Sequence, residues 1–142
     1  MTDIQARVRY LSHSAQKVRS VIDLVRGKNA NEALETLRFV NKGAALPVYK
    51  LVASAVANAE ENFGVSRDNL FIAKITADEA PTRKWRRFGA RGRFKPVLRR
   101  NSHVTVILRE RAAFGERLAN LLERFFLGHV LRQTIGTHLH AR

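Results

Sequence analysis

Nine basic residues and no acid occupy the eighteen positions from Arg83 to Arg100. They are Arg83, Lys84, Arg86, Arg87, Arg91, Arg93, Lys95, Arg99 and Arg100, and Trp85, Phe88, Gly89, Gly92, Phe94 and Pro96 stand among them. Such a run cannot bury a core of its own. Its charges repel, and no apolar period is long enough to seed a helix or a packed strand, so it stays solvated or wraps a polyanion that neutralises it. The interleaved aromatics and glycines favour the second outcome. Arginine planes and Trp or Phe rings stack on unpaired bases, and glycine lets the backbone approach closely. The chemistry on offer is binding by phosphate neutralisation and stacking. Composition alone gives little preference for RNA over DNA.

Other chemistry is thin. Ser12-His13-Ser14-Ala15-Gln16-Lys17-Val18-Arg19 opens a helical pattern and has two readings. It is a phosphate site, with free amides at a helix start backed by Lys17 and Arg19, or it is an ordinary capped helix with two exposed bases. Ser102 and His103 have no identifiable carboxylate partner for nucleophilic catalysis, and His103 reads as a packed or surface histidine. His138 and His140 have no further ligands around them and read as a solvated tail. There is no phosphate-loop pattern and no cysteine, hence no thiol nucleophile, disulfide framework or thiolate zinc site. No enzyme, metal or cofactor is expected.

The whole chain carries the same bias. Its 142 residues hold 26 Lys+Arg against 12 Asp+Glu, a net charge of +14. A field of that sign concentrates and steers polyanions. Nucleic acid leads the partner classes, with an anionic membrane surface second. No apolar stretch approaches the ~20 residues of a bilayer span, and Met-Thr-Asp-Ile does not begin a signal peptide. A cytoplasmic location is expected.

The elements that must position these residues follow from periodicity. Ile4, Ala6, Val8 and Tyr10 alternate as the inner face of a strand with a basic outer face. Val18, Val21, Ile22 and Val25 then follow helical spacing, between Ser14 as N-cap and Gly27 as stop. A second helix follows Asn29, with Glu32 placed for a capping box and Ala33, Leu34, Leu37 and Phe39 or Val40 as its face. A third runs from about Ala45 to Asn62 on a stripe of Val48, Leu51, Val52, Ala55, Val56 and Ala59. Asn69 to Ala77 (inner residues Phe71, Ala73, Ile75, Ala77) and Ser102 to Leu108 supply the arms of a β-hairpin whose tip carries the basic run outward. The first strand joins the pair, since two strands alone are marginal. From Arg109 onward, Leu118, Leu121, Leu122, Phe125 and Phe126 mark an amphipathic helix.

Six ordered blocks bring a family into view: residues 14–19 (Ser-Ala-Gln-Lys-Val-Arg), 23–28, 53–59, 77–81, 90–93 (Ala-Arg-Gly-Arg) and 102–108. Together they resemble the large-subunit ribosomal protein twenty-two family of the bacterial type, over about Ile4 to Leu108. The resemblance implies a non-catalytic role: a globular part seated on large-subunit ribosomal RNA near the exit, and a hairpin that reaches inward to line the nascent-peptide tunnel. By position it assigns Ser14, Gln16, Lys17, Arg19, Arg26 and Lys28 to an RNA-facing first helix. It likewise assigns Lys84, Arg91, Gly92, Arg93, Arg99 and Arg100 to the hairpin's RNA contacts. Phe88, Gly89, Ala90, Arg91, Gly92 and Arg93 become the tunnel-lining tip. Three places depart from the family pattern: Ala80 where glycine is usual, Trp85 where a smaller or basic residue is usual, and Phe88-Gly89 where Pro-Arg is usual.

The expected fold is α+β, a small antiparallel sheet packed on three helices, with a long protruding β-hairpin and an appended C-terminal helix. Residues 1–110 form the RNA-binding domain, including a hairpin at about 78–102 that RNA orders. Residues 111–142 form the helical extension. The expected function is a structural constituent of the large ribosomal subunit, with ribosomal RNA, neighbouring ribosomal proteins and the nascent peptide as partners. A DNA-binding architectural protein with a basic β-arm is the alternative.

Overall fold

The computed structural model describes residues 3–111. The chain divides into two units, Met1–Glu110 and Arg111–Arg142, and the expected C-terminal helix lies outside the described residues. Within the first unit the order is β1 (Ile4–Leu11), α1 (Ala15–Ile22), α2 (Ala30–Phe39), α3 (Ala45–Phe63), β2 (Leu70–Phe88) and β3 (Phe94–Glu110). The three strands form one antiparallel sheet in the order β1-β3-β2. This is the α+β arrangement expected, with the first strand added to the hairpin as its third member.

Helices α1 and α3 pack on the sheet and α2 packs on α3, because each carries an apolar stripe that only a neighbour can remove from water. Val18, Val21 and Ile22 of α1 and Val48, Val52 and Val56 of α3 meet Ile4, Ile72, Ile75, Val104, Val106 and Leu108 of the sheet in one buried cluster. Burying side chains of this size stabilises by roughly 1.5–3 kcal/mol each. Ala55 and Ala59 are fully buried on α3, where their small side chains keep the helix close to its neighbours.

Several expected details shift. Helix α1 ends at Ile22, and the chain turns through residues 23–27 while Val25 remains buried. Gly27 then donates to Ile72 O (3.2 Å) and Ile72 donates to Lys28 O (3.0 Å), tying the turn to β2. Ser14 holds the N-cap position and Asn29 that of α2, both without a side-chain cap bond. Glu32 closes no capping box: it pairs with Lys28 at 3.1 Å. Phe39 is 88% exposed, whereas Val40 packs on the core.

Strand alternation breaks at two bulges. Between Val8 and Leu11 the β1–β3 register shifts. There Tyr10 takes a positive φ of 56° and turns outward, 62% exposed, leaving Ile4, Ala6 and Val8 as the inner face. Between Ile72 and Lys74 the β2–β3 register shifts too. The buried residues at the base of β2 are therefore Leu70, Ile72, Ile75, Ala77 and, at the end of the three-stranded part, Ala80, not Phe71 and Ala73. One extra residue reverses which side chains face the core, and strict alternation cannot anticipate it.

Candidate nucleic-acid interface

β2 and β3 are 19 and 17 residues long, far beyond the arms that hydrophobic alternation marked. Their pairing runs from Leu70↔Glu110 to Phe88↔Phe94. β1 accompanies β3 only as far as Leu11↔Ser102. Beyond Ala80↔Asn101 the ladder is two-stranded, and the eight remaining residues of β2 at roughly 3.3 Å each carry it about 26 Å further. Six of the nine basic residues, Arg83, Lys84, Arg86, Arg87, Lys95 and Arg99, are thus paired as strand within the chain itself. Backbone hydrogen bonds hold the arm although its side chains bury almost nothing.

Cross-strand partners project from the same face, so the register sorts the arm into two sides. One side carries Arg83↔Arg99, Trp85↔Val97 and Arg87↔Lys95. The other carries Lys84↔Leu98, Arg86↔Pro96 and Phe88↔Phe94. On the first side, two like-charge pairs sit directly opposite one another, an arrangement that destabilises an isolated hairpin. On the second, the Phe88 and Phe94 rings lie 5.1 Å apart and the Arg86 guanidinium stands 5.9 Å from the Phe94 ring. Trp85 is 63% exposed and Phe88 80% exposed. No ion pair among the described residues involves any of the nine basic side chains. Stacking surface and unneutralised charge are therefore offered together.

The tip is a tight turn. Gly89 donates to Arg93 O at 2.7 Å, and a Cβ on Gly89 would lie 2.9 Å from that same oxygen. The close approach excludes any side chain at this position. Arg91 (φ 55°) and Gly92 (φ 70°) both take left-handed backbone, so Arg91, Gly92 and Arg93 are presented outward at the end of the arm. Ala80 is buried where the ladder leaves the three-stranded sheet.

The residues assigned to the first helix divide. Gln16 and Lys17 are exposed at its start and Ser14 is half-buried. Arg19 instead folds across the sheet and donates through Nε (3.1 Å) and Nη2 (2.9 Å) to Ala77 O. Arg26 pairs with Asp23 at 3.2 Å. Lys28 serves Glu32 and, at 3.4 Å, Thr36 Oγ1. These three fasten α1 and its turn to neighbouring elements. Sequence spacing missed Lys42, whose Nζ donates to Ser20 Oγ at 3.1 Å and so lies beside Lys17's helix. No local pattern signals a contact made 22 residues apart.

The catalytic alternative has no geometry. Ser102 and His103 are consecutive on β3 and project to opposite faces. Ser102 Oγ is buried without a partner, whereas His103 Nδ1 accepts the Tyr10 amide hydrogen at 3.0 Å. A cleft of about 480 Å³ between α2 and α3 mixes Glu35 and Glu60 with Arg38 and Arg67 and includes none of the candidate RNA-binding residues. Among the described residues no acid, histidine or cysteine cluster could hold a metal, and no helix is long and apolar enough to cross a membrane.

The model of the family "Ribosomal protein L22p/L17e" matches residues 6–109, which run from β1 through the arm to the end of β3. The chain belongs to this family. It is accordingly a structural, non-enzymatic protein. Curated relatives agree along the same stretch. The large ribosomal subunit protein uL22 of Thermoanaerobacter sp. (strain X514) is 46% identical over 109 residues, covering 77% of this chain and 98% of the relative. The protein of the same name from Desulfitobacterium hafniense (strain DSM 10664 / DCB-2) is 45% identical over 111 residues, covering 78% and 97%. Family membership spans both the base and the arm, and the matched segment stops where the described residues end.

Proposed function

We propose that the chain is a structural constituent of the large ribosomal subunit, that it binds ribosomal RNA, and that its arm lines the nascent-peptide tunnel. The observation that carries RNA binding is the arm itself: nine basic side chains without ion-pair partners, two pairs of them like-charged and opposed, on a ladder far from the core. Phosphates placed along Arg83, Lys84, Arg86, Arg87, Lys95, Arg99 and Arg100 would relieve that repulsion and release counterions. Backbone contacts of this kind position a protein without reading sequence. The exposed aromatics add stacking on unpaired bases. Ser14, Gln16 and Lys17 offer a second contact on the base, with the remaining donors of Arg19, Arg26 and Lys28 at its edge. The tip, Phe88 to Arg93, is then the part that meets the nascent peptide. Both relatives are named as large ribosomal subunit proteins, which supports a cytoplasmic ribosome and neighbouring ribosomal proteins as the setting.

A photo-crosslinking residue at position 90 tests the arrangement in ribosomes assembled with the full-length chain. Crosslinks to both large-subunit ribosomal RNA and an elongating peptide are expected. Deleting 88–93 should preserve incorporation, because the base keeps its own contacts. Crosslinks to RNA alone would remove the tunnel assignment and keep RNA binding. Failure of the intact chain to co-sediment with large subunits would overturn the whole reading.

A further inference from the structure

The β1–α1 turn, α1 and the α2–α3 connection surround a cavity of about 350 Å³ lined by His13, Lys17, Ser20, Lys42, Gly43 and Ala44. Three side chains capable of carrying positive charge face one space, and no carboxylate lines it. Neither Lys17 nor Lys42 forms an ion pair among the described residues. Lys42 is held in place by its bond to Ser20 Oγ (3.1 Å), and that hydroxyl donates in turn to Lys17 O (2.9 Å). His13 Nδ1 is buried and has no hydrogen-bond partner. Its other ring nitrogen faces Gly43, where a Cβ would stand 3.2 Å from Nε2, so the glycine makes the room the ring occupies. The 19-residue helix α3 begins directly after Ala44, so the positive end of its dipole lies at the same wall, although the Ala45 amide is already bonded to Lys42 O (2.8 Å).

We infer that this cavity is a phosphodiester site, taking one backbone phosphate of ribosomal RNA with Lys17 and Lys42 as its counterions. The inference rests on the RNA-binding reading above and gives it a second, built contact on the base. Converging cations without carboxylates repel one another until an anion arrives, and a ligand phosphate supplies both the charge and the acceptor oxygens that these donors lack. The cavity exceeds the volume of a phosphate group alone, and its Gly43-Ala44 wall and lysine stems suit the attached ribose.

The test titrates full-length chain against deproteinised large-subunit ribosomal RNA over a range of salt. The variants are Lys17→Gln, Lys42→Gln, Gly43→Ala and the tip double variant Arg91→Ala/Arg93→Ala, with circular dichroism confirming that each folds. Each lysine variant should flatten the slope of log affinity against log salt by about 0.7–0.9, and at physiological salt should bind about four- to fivefold more weakly. Gly43→Ala, which removes no charge, should weaken binding at an unchanged slope by displacing His13. Lysine variants indistinguishable from wild type beside a flattened tip variant would overturn the site and leave RNA binding intact. A wild-type slope near zero would remove the reading on which the site rests. Amide spectra of the free protein titrated with uridine monophosphate separate the remaining source. Saturation at His13 and Gly43 by the mononucleotide, with RNA affinity unchanged in the lysine variants, would assign the cavity to a free phosphate ligand and overturn the inference.

Discussion

The base and the arm belong to one sheet, share two of its strands, and are held together by different forces. In the base, β3 is flanked on both sides, and Val104, Val106 and Leu108 are sealed against α1 and α3. Side-chain burial fixes the register there. In the arm the same strand has one partner and no helix, its large apolar side chains face solvent, and only the ladder and the tip geometry hold the register. A small protein can therefore extend a two-stranded ladder well beyond its core when packing anchors one end. The cost falls on local stability: with few buried apolar contacts, the arm is expected to open before the base.

The contrast is most sharply tested by paired truncations. Leu108→Ala, in the central strand, should lower unfolding free energy by about 2–5 kcal/mol in denaturant titration. Trp85→Ala, on the arm, should change it by less than about 0.5 kcal/mol. Comparable losses at the two sites would show that the arm contributes to the cooperative core.

A smaller effect should appear within the arm. Lys95→Glu places an acid opposite Arg87, and the new pair should stabilise the free hairpin by roughly 0.2–1 kcal/mol. Hydrogen exchange of the arm amides should slow while ribosomal RNA affinity falls. If exchange does not slow, cross-strand repulsion is not what loosens the free arm.

The least effect is expected at the exposed pair joining the start of β1 to β3. Arg109 Nη2 donates to Asp3 Oδ2 at 3.1 Å. That hydrogen bond, together with the arginine's charge, holds the Asp3 carboxyl below the usual carboxylate range. A lowered carboxyl pKa contributes stability above its unfolded value and loses it as pH falls through the lowered folded value. Asp3→Asn should therefore melt slightly below wild type at neutral pH, and the difference should close in acid. A gap that persists in acid would place the effect elsewhere.

Much was legible in sequence because it depends on local composition. The basic run could belong to no core, and the helical stripes of Val18, Val21 and Ile22 and of Val48 to Ala59 had to be buried. Val104, Val106 and Leu108 could face one way only as a strand. Six blocks of ordered residues led to the family. Folding in three dimensions decided what local pattern does not encode. Bulges at Val8/Leu11 and Ile72/Lys74 reset which residues face inward, since one inserted residue inverts a period of two. The arm became a ladder through backbone pairing, which leaves no hydrophobic signature. Arg19 was drawn to the Ala77 carbonyl, while Lys42 was brought beside Ser20 and Lys17, because contacts between elements depend on how their faces dock rather than on sequence spacing.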